Sequence, residues 1–126
     1  MGKPVQGRPY LEQALAIRAE KLGANHPSTA ETLHDLGSLS QVTGQLDEAH
    51  QYLARALAIR EQELGPDHLD TGETLYKLGT LHQARGDLTS ARPYLERALV
   101  IFEQVLGAAH EKSQVVRANL AELKEA

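Results

Sequence analysis

Apolar residues recur along this chain at helical rather than strand spacing. Leu33, Leu36, Gly37 and Ser40 mark one side of a first segment, with Leu39 and Val42 on a second side, up to Gly44. Beyond that glycine, which is expected to stop the helix, Leu46, Ala49, Leu53, Ala56, Leu57 and Leu64 trace a broader stripe that ends at Gly65-Pro66. The pattern predicts a helix, a tight turn and a longer helix. It also repeats. Tyr10, Tyr52 and Tyr94 open the same phrase, which closes on Ile17, Ile59 and Ile101, so the period is 42 residues. Leu11/Leu53/Leu95, Ala14/Ala56/Ala98, Leu15/Leu57/Leu99, Leu22/Leu64/Leu106, Gly23/Gly65/Gly107 and His26/His68/His110 coincide without an insertion, and about half of residues 8–49 are identical to their partners in 50–91. Such a period implies stacked units that contact mainly their neighbours. The expectation is an all-α solenoid of about six helices and three repeats, one array over 1–126. Its register is 2–43, 44–85 and 86–126, with helices near 7–22, 28–43, 46–64, 70–85, 89–106 and 112–124. Pro9 and Pro93 fit best in a first turn, placing two helix starts near Gln6 and Ser90, and Asp70 or Thr71 is the candidate N-cap of the fourth helix.

Composition agrees with this reading. Twenty leucines and seventeen alanines supply most of the 41% hydrophobic content, whereas aromatics reach only 4%. Leu and Ala favour helices, and the residues that fill strands are scarce. The net charge of −4 gives no footprint for a phosphate backbone or an anionic lipid surface, so nucleic acid is not an expected partner. No apolar run approaches the roughly 20 residues of a membrane span, and the first residues lack a signal-peptide stretch, so no membrane association and a cytoplasmic location are expected. Without cysteine no disulfide forms.

Candidate chemistry is sparse. His26, His68 and His110 invite a zinc hypothesis, but equivalent atoms of successive repeats lie roughly 10 Å apart, whereas one metal needs its ligand atoms within about 2.1 Å. A structural role in the loops is the expectation. The many carboxylates read as solvated helix faces, with Asp47, Glu48, Glu31 and Glu73 placed early in helices where the dipole favours negative charge. No nucleophile–base order or glycine-rich phosphate loop appears. Neither catalysis nor a cofactor nor a metal is expected.

The order Leu33, Leu36-Gly37, Gly44, Ala49, Leu53, Ala56, matched again by Leu75, Leu78-Gly79, Gly86, Ala91, Leu95, Ala98, resembles the tetratricopeptide repeat. The phrase from Ala56 to Asp87 is similar to the 42-residue variant of kinesin light chains. The resemblance implies a right-handed solenoid of antiparallel helix pairs, with small residues where helices approach closely. It also implies a protein-interaction scaffold whose first helices line a concave groove. The groove positions it indicates are Glu31, His34, Asp35, Ser38 and Gln41, then Glu73, Tyr76, Lys77, Thr80 and Gln83, then Asn119 and Glu122, beside Val115, Ala118 and Glu125. In light-chain relatives the sixth position is usually Asn; here it is Asp35, Lys77 and Asn119. The set is polar and acidic, with Tyr76 and His34 as flat surfaces for an extended peptide. Glu31 and Glu73 would repel an acidic motif, so a neutral-to-basic protein or peptide partner is expected.

The ends suggest an alternative. Arg117 and Lys124 replace Leu33/Leu75 and Ser40/His82, as polar residues do on terminal repeats, while Tyr10, Leu11, Ala14 and Leu15 remain on an opening helix without its partner. Self-association through these six residues, head-to-tail or two-fold, is the second expectation.

Overall fold

The computed structural model describes residues 4–125, with side chains described over 7–123. The expected register start at residue 2 and the Lys124 side chain therefore lie outside the described residues. Six helices follow one another: α1 (Pro4–Leu22), α2 (Pro27–Val42), α3 (Leu46–Glu63), α4 (Leu69–Ala84), α5 (Leu88–Leu106) and α6 (Glu111–Glu125). Among the described residues no strand occurs and no helix is long and apolar enough to cross a membrane. The chain forms two compact units, Met1–Gly65 and Pro66–Ala126, each of three helices.

The first unit packs α1 and α3 against α2. Ala30, Leu33, Ala56 and Ile59 form a buried cluster, with Leu15 and Tyr52 packed on it. Leu36, Ala49 and Leu53 are also buried, and each fully buried leucine contributes about 2 kcal/mol of transfer free energy. The closest approach is at Gly37. A Cβ there would lie 2.5 Å from Leu53 Cγ and 3.3 Å from the Ala49 carbonyl, so the absent methyl is what lets Leu53 seat against α2. Arg18 of α1 ties the pair from outside, its Nη1 donating to Thr32 Oγ1 at 2.8 Å and to the Ser28 carbonyl at 3.0 Å. Arg8 pairs with Glu48 and donates to Gln45 Oε1 at 2.7 Å.

The second unit has the opposite order, with α4 and α6 packed against a central α5. Leu75, Leu78, Leu81, Leu95, Ala98, Ile101, Phe102, Val116 and Leu123 are buried. Gly79 receives Leu95, with 2.6 Å from a built Cβ to Leu95 Cγ, and Gly72 receives Ile101. His82 stacks on Tyr94 with ring centroids 5.5 Å apart and planes 5° from parallel. On α6, Arg117 reaches back to α5, donating to Glu103 Oε2 at 2.8 Å and to the Ala108 carbonyl at 2.6 Å.

The turns explain why the helices stop where they do. After α2, Gly44 takes φ +81°, its N–H bonds the Gln41 carbonyl, and the Gln45 N–H returns to the Ser40 carbonyl at 2.8 Å. This closes the helix end in the manner that left-handed glycine permits, and Gly86 repeats it with Gln83 and His82.

Two local expectations are corrected. The N-cap of α4 is His68, not Asp70 or Thr71: its Nδ1 accepts the Asp70 N–H at 3.0 Å, a task the imidazole performs as a short polar side chain would. Helix α5 begins at Leu88, capped by Asp87 accepting from the Ser90 N–H at 3.2 Å, and α1 begins at Pro4. Pro93 and Pro9 thus fall inside their helices rather than in the first turn. Both are solvent-exposed, where water can meet a carbonyl that has lost its donor.

Candidate functional site

The side chains indicated by the sequence fall on helices of both units. In the second unit they meet across α4 and α6. Asn119 Nδ2 donates to Gln83 Oε1 at 3.0 Å, and Gln83 Nε2 donates to Glu122 Oε2 at 3.3 Å. Tyr76 stands beside them. Burial, the larger influence, raises its phenol above the ordinary value, a hydrogen bond with Asn119 lowers it, and the Glu122 charge raises it. Thr80 turns its hydroxyl to the Lys77 carbonyl at 2.9 Å, so it supports α4 rather than reaching outward. Lys77 is half-buried.

Sequence reasoning missed Lys112, which pairs with Glu73 across the same two helices. The only signal for it was an opposite charge 39 residues on, a separation that carries no meaning until α4 and α6 are known to face each other. Glu103, which holds Arg117, was likewise read only as a solvated carboxylate.

In the first unit the indicated residues lie on α2. Glu31 and Asp35 are exposed, and His34, Ser38 and Gln41 are half-buried. Glu31 lies 3.9 Å from Arg18 Nη1. Although the residue as a whole is exposed, neighbouring groups take part of the hydration from the Asp35 carboxyl, and this first, then the Glu31 charge, raises it above its usual range, with Arg60 and Arg18 opposing. Ser38 Oγ is buried without a hydrogen-bond partner.

The periodic histidines have one task in common. Nδ1 of His26, His68 and His110 accepts the N–H of Ser28, Asp70 and Lys112, each at 3.0 Å, and so caps α2, α4 and α6. Around two of them the loop closes identically: Thr29 Oγ1 donates to the Gly23 carbonyl and Ser113 Oγ to the Gly107 carbonyl, both at 2.8 Å. A nitrogen that accepts a backbone N–H is not offered to a metal. Among the described residues no group of three or more His, Cys, Asp or Glu side chains could hold a metal ion. A depression of about 330 Å³ bounded by Leu22–Pro27 and Glu63 adds only the capping His26 and one carboxylate.

Of the residues indicated for self-association, Tyr10 is 78% exposed, Leu11 and Ala14 are half-buried, and Leu15 packs on the core cluster. Arg117 is held by Glu103 and Ala108 as described above.

Comparison with known proteins agrees with the helix pairing. The family model of the tetratricopeptide repeat matches residues 1–62 and again 37–104. No curated protein sequence matches the chain. Among solved structures, BtubC (BKLC) from P. vanneervenii superposes with a TM-score of 0.87 at 21% identity, covering 97% of this chain and 49% of that one. A Podosopora anserina kinesin light chain-like protein with nearly identical TPR-like repeats superposes with a TM-score of 0.86 at 28% identity, covering 95% of this chain and 57% of that one. A point variant of that same protein gives 0.86 at 27% identity with the same coverage. This chain therefore spans about half the length of these proteins.

Proposed function

The chain belongs to the tetratricopeptide repeat family, and from that premise we propose that it is a non-enzymatic protein-interaction module, one that holds a peptide or helix on the polar face shared by its first helices α4 and α6 in the second unit. The observation that carries this reading is the joint placement of Tyr76, Gln83, Asn119 and Glu122 on α4 and α6. An amide side chain that spends one hydrogen bond on a neighbour still has donors and acceptors left, and these complement the alternating N–H and C=O of an extended backbone. Tyr76 adds a flat apolar surface beside them.

Charge selects the partner. Lys112 pairs with Glu73, which leaves Glu122 as the acidic group of the α4–α6 face that decides the preference. On α2 of the first unit, Asp35 bears the combined penalty of partial desolvation and a like charge, and a cationic side chain bound beside it would relieve the second. The partner proposed is a neutral-to-basic peptide.

The test is a titration of the chain with labelled peptide libraries matched in length and differing in charge. Neutral and basic peptides are expected to bind and to weaken with salt. Tyr76→Ala or Asn119→Ala is expected to lower their affinity about tenfold, or about 1.4 kcal/mol. Preferential capture of the acidic library at low salt would overturn the reading.

A further inference from the structure

The amides that join α6 to α4 leave a definite set of groups for a ligand. One Asn119 Nδ2 proton goes to Gln83 Oε1 at 3.0 Å, and one Gln83 Nε2 proton goes to Glu122 Oε2 at 3.3 Å. The hydrogen bond with Asn119 lowers the Tyr76 phenol, which is the sign of an N–H donated to its oxygen, so the second Nδ2 proton is spent there. Among the described residues this leaves two acceptors, Asn119 Oδ1 and Glu122 Oε1, beside one half-buried aromatic ring. The donors that remain, the second Gln83 N–H and the Tyr76 O–H, suit a backbone carbonyl of a bound segment.

The charge at this junction is negative. Glu122 is exposed and pairs with no cation among the described residues, and its charge is felt at the Tyr76 phenol. Lys112 is spent on Glu73. Lys77 follows Tyr76 directly in the chain and so stands about 100° round α4 from it, off the side that Tyr76 and Gln83 turn to α6.

We propose that this junction holds the guanidinium of an arginine in the bound peptide, stacked on the Tyr76 ring and donating to Glu122 Oε1 and Asn119 Oδ1. The proposal rests on the interaction reading above and names the side chain which that reading leaves open. A guanidinium carries several N–H donors in one plane and no acceptor, so it can satisfy two acceptors while its face lies on a ring. A lysine ammonium is a compact, strongly hydrated point charge that meets the carboxylate but leaves the ring uncovered. Because Glu122 is exposed, its charge alone contributes little in water. The ring and the amide oxygen are therefore what separate arginine from lysine, and the charge is what separates both from a neutral side chain.

The probe is a library of acetylated, amidated heptapeptides free of Asp and Glu, screened against the full chain, with the tightest-binding member taken forward. That member is expected to contain arginine. Replacing the arginine by citrulline, a neutral isostere, is expected to weaken binding about tenfold or more, and replacing it by lysine about threefold. In the chain, Glu122→Gln is expected to close the gap between arginine and citrulline, and Tyr76→Leu the gap between arginine and lysine. Circular dichroism checks that both variants fold, and the substitutions made in the peptide need no variant of the chain. The proposal is overturned if the tightest member lacks arginine, if citrulline or lysine binds as well as arginine, or if Glu122→Gln leaves the preference for arginine over citrulline intact. In each of these cases the interaction reading stands, because a peptide has bound. Binding of no heptapeptide overturns that reading and this proposal with it.

Discussion

Helices α1 and α6 are each packed on one side within their units, yet they differ in what they show on the other. Helix α1 keeps Leu11, Ala14 and Ile17, the residues that α3 and α5 use to bind a neighbour. Helix α6 has replaced the matching small and apolar positions with Gln114, Arg117 and Ala121. The difference shows how narrow the helix–helix specification is in this chain. A leucine enters a notch made by a missing methyl on α2 and α4, whereas α6 has an alanine at that position and an arginine held by Glu103 near it. Hydrophobicity alone would not separate the two ends, because α6 still buries Val116 and Leu123 against its own unit.

Truncating the leucines should separate the two situations most strongly. Leu53→Ala or Leu95→Ala, each at a fully buried site, is expected to cost about 2–5 kcal/mol in denaturant unfolding. Leu11→Ala is expected to cost about 1 kcal/mol, because its side chain is already partly in water. Equal losses at the three positions would mean that α1 is covered. Filling the notch comes next. Gly37→Ala or Gly79→Ala gains about 1 kcal/mol of helix propensity but forces an overlap that costs about 1–3 kcal/mol. Since the built contacts are as short as 2.5 Å and involve the branch carbon of leucine rather than a flexible tip, net destabilisation is expected. Ala121→Gly faces no such contact and should lose only the propensity, about 1 kcal/mol.

The capping histidines sharpen the comparison on a smaller scale. His26→Ala, His68→Ala and His110→Ala should each cost about 1 kcal/mol, with Asn recovering most of it, since Asn also accepts a backbone N–H from that position. The smallest effects are electrostatic. Asp87 has its carboxyl held below the ordinary range, chiefly by its hydrogen bonds with Ser90. Its contribution is complete above the usual carboxylate range and is lost as pH falls through the lowered value, so the stability difference from Asp87→Asn should shrink on acidification. Asp35 has the opposite sign. Its raised value means that ionisation disfavours the fold, stability from this group falls as pH rises through that value, and Asp35→Asn should be stabilising at neutral pH in thermal melts.

Much of the fold was legible because its determinants are local and repeated. Gly44 and Gly86 mark turns, Gly37 and Gly79 mark close approaches, and the leucine stripe between them recurs every 42 residues. What escaped were roles given by rarer chemistry or by distance. Histidine is an uncommon helix cap, so His68 was passed over for Asp70 and Thr71. Proline is expected in a first turn, so the starts of α1 and α5 were set too late. The pairs Glu73–Lys112 and Glu103–Arg117 join residues that only packing brings together. The candidate site was readable as positions: Tyr76, Gln83, Asn119 and Glu122 do converge in the second unit. That Thr80 is turned to its own helix, and that Lys112 neutralises Glu73, depended on side-chain geometry no sequence pattern encodes.

The most direct test restores the missing notch. In the triple variant Gln114→Ala, Arg117→Leu, Ala121→Gly, α6 regains the surface that α2 and α4 present, and α1 of a second copy should accept it. Sedimentation velocity is expected to show a weight-average mass independent of concentration for the unaltered chain and rising with concentration for the variant, with the rise abolished by adding Leu11→Glu. A variant that stays at constant mass, or an unaltered chain that already associates through Leu11, would contradict the claim that the glycine notch decides where a leucine of this chain can seat.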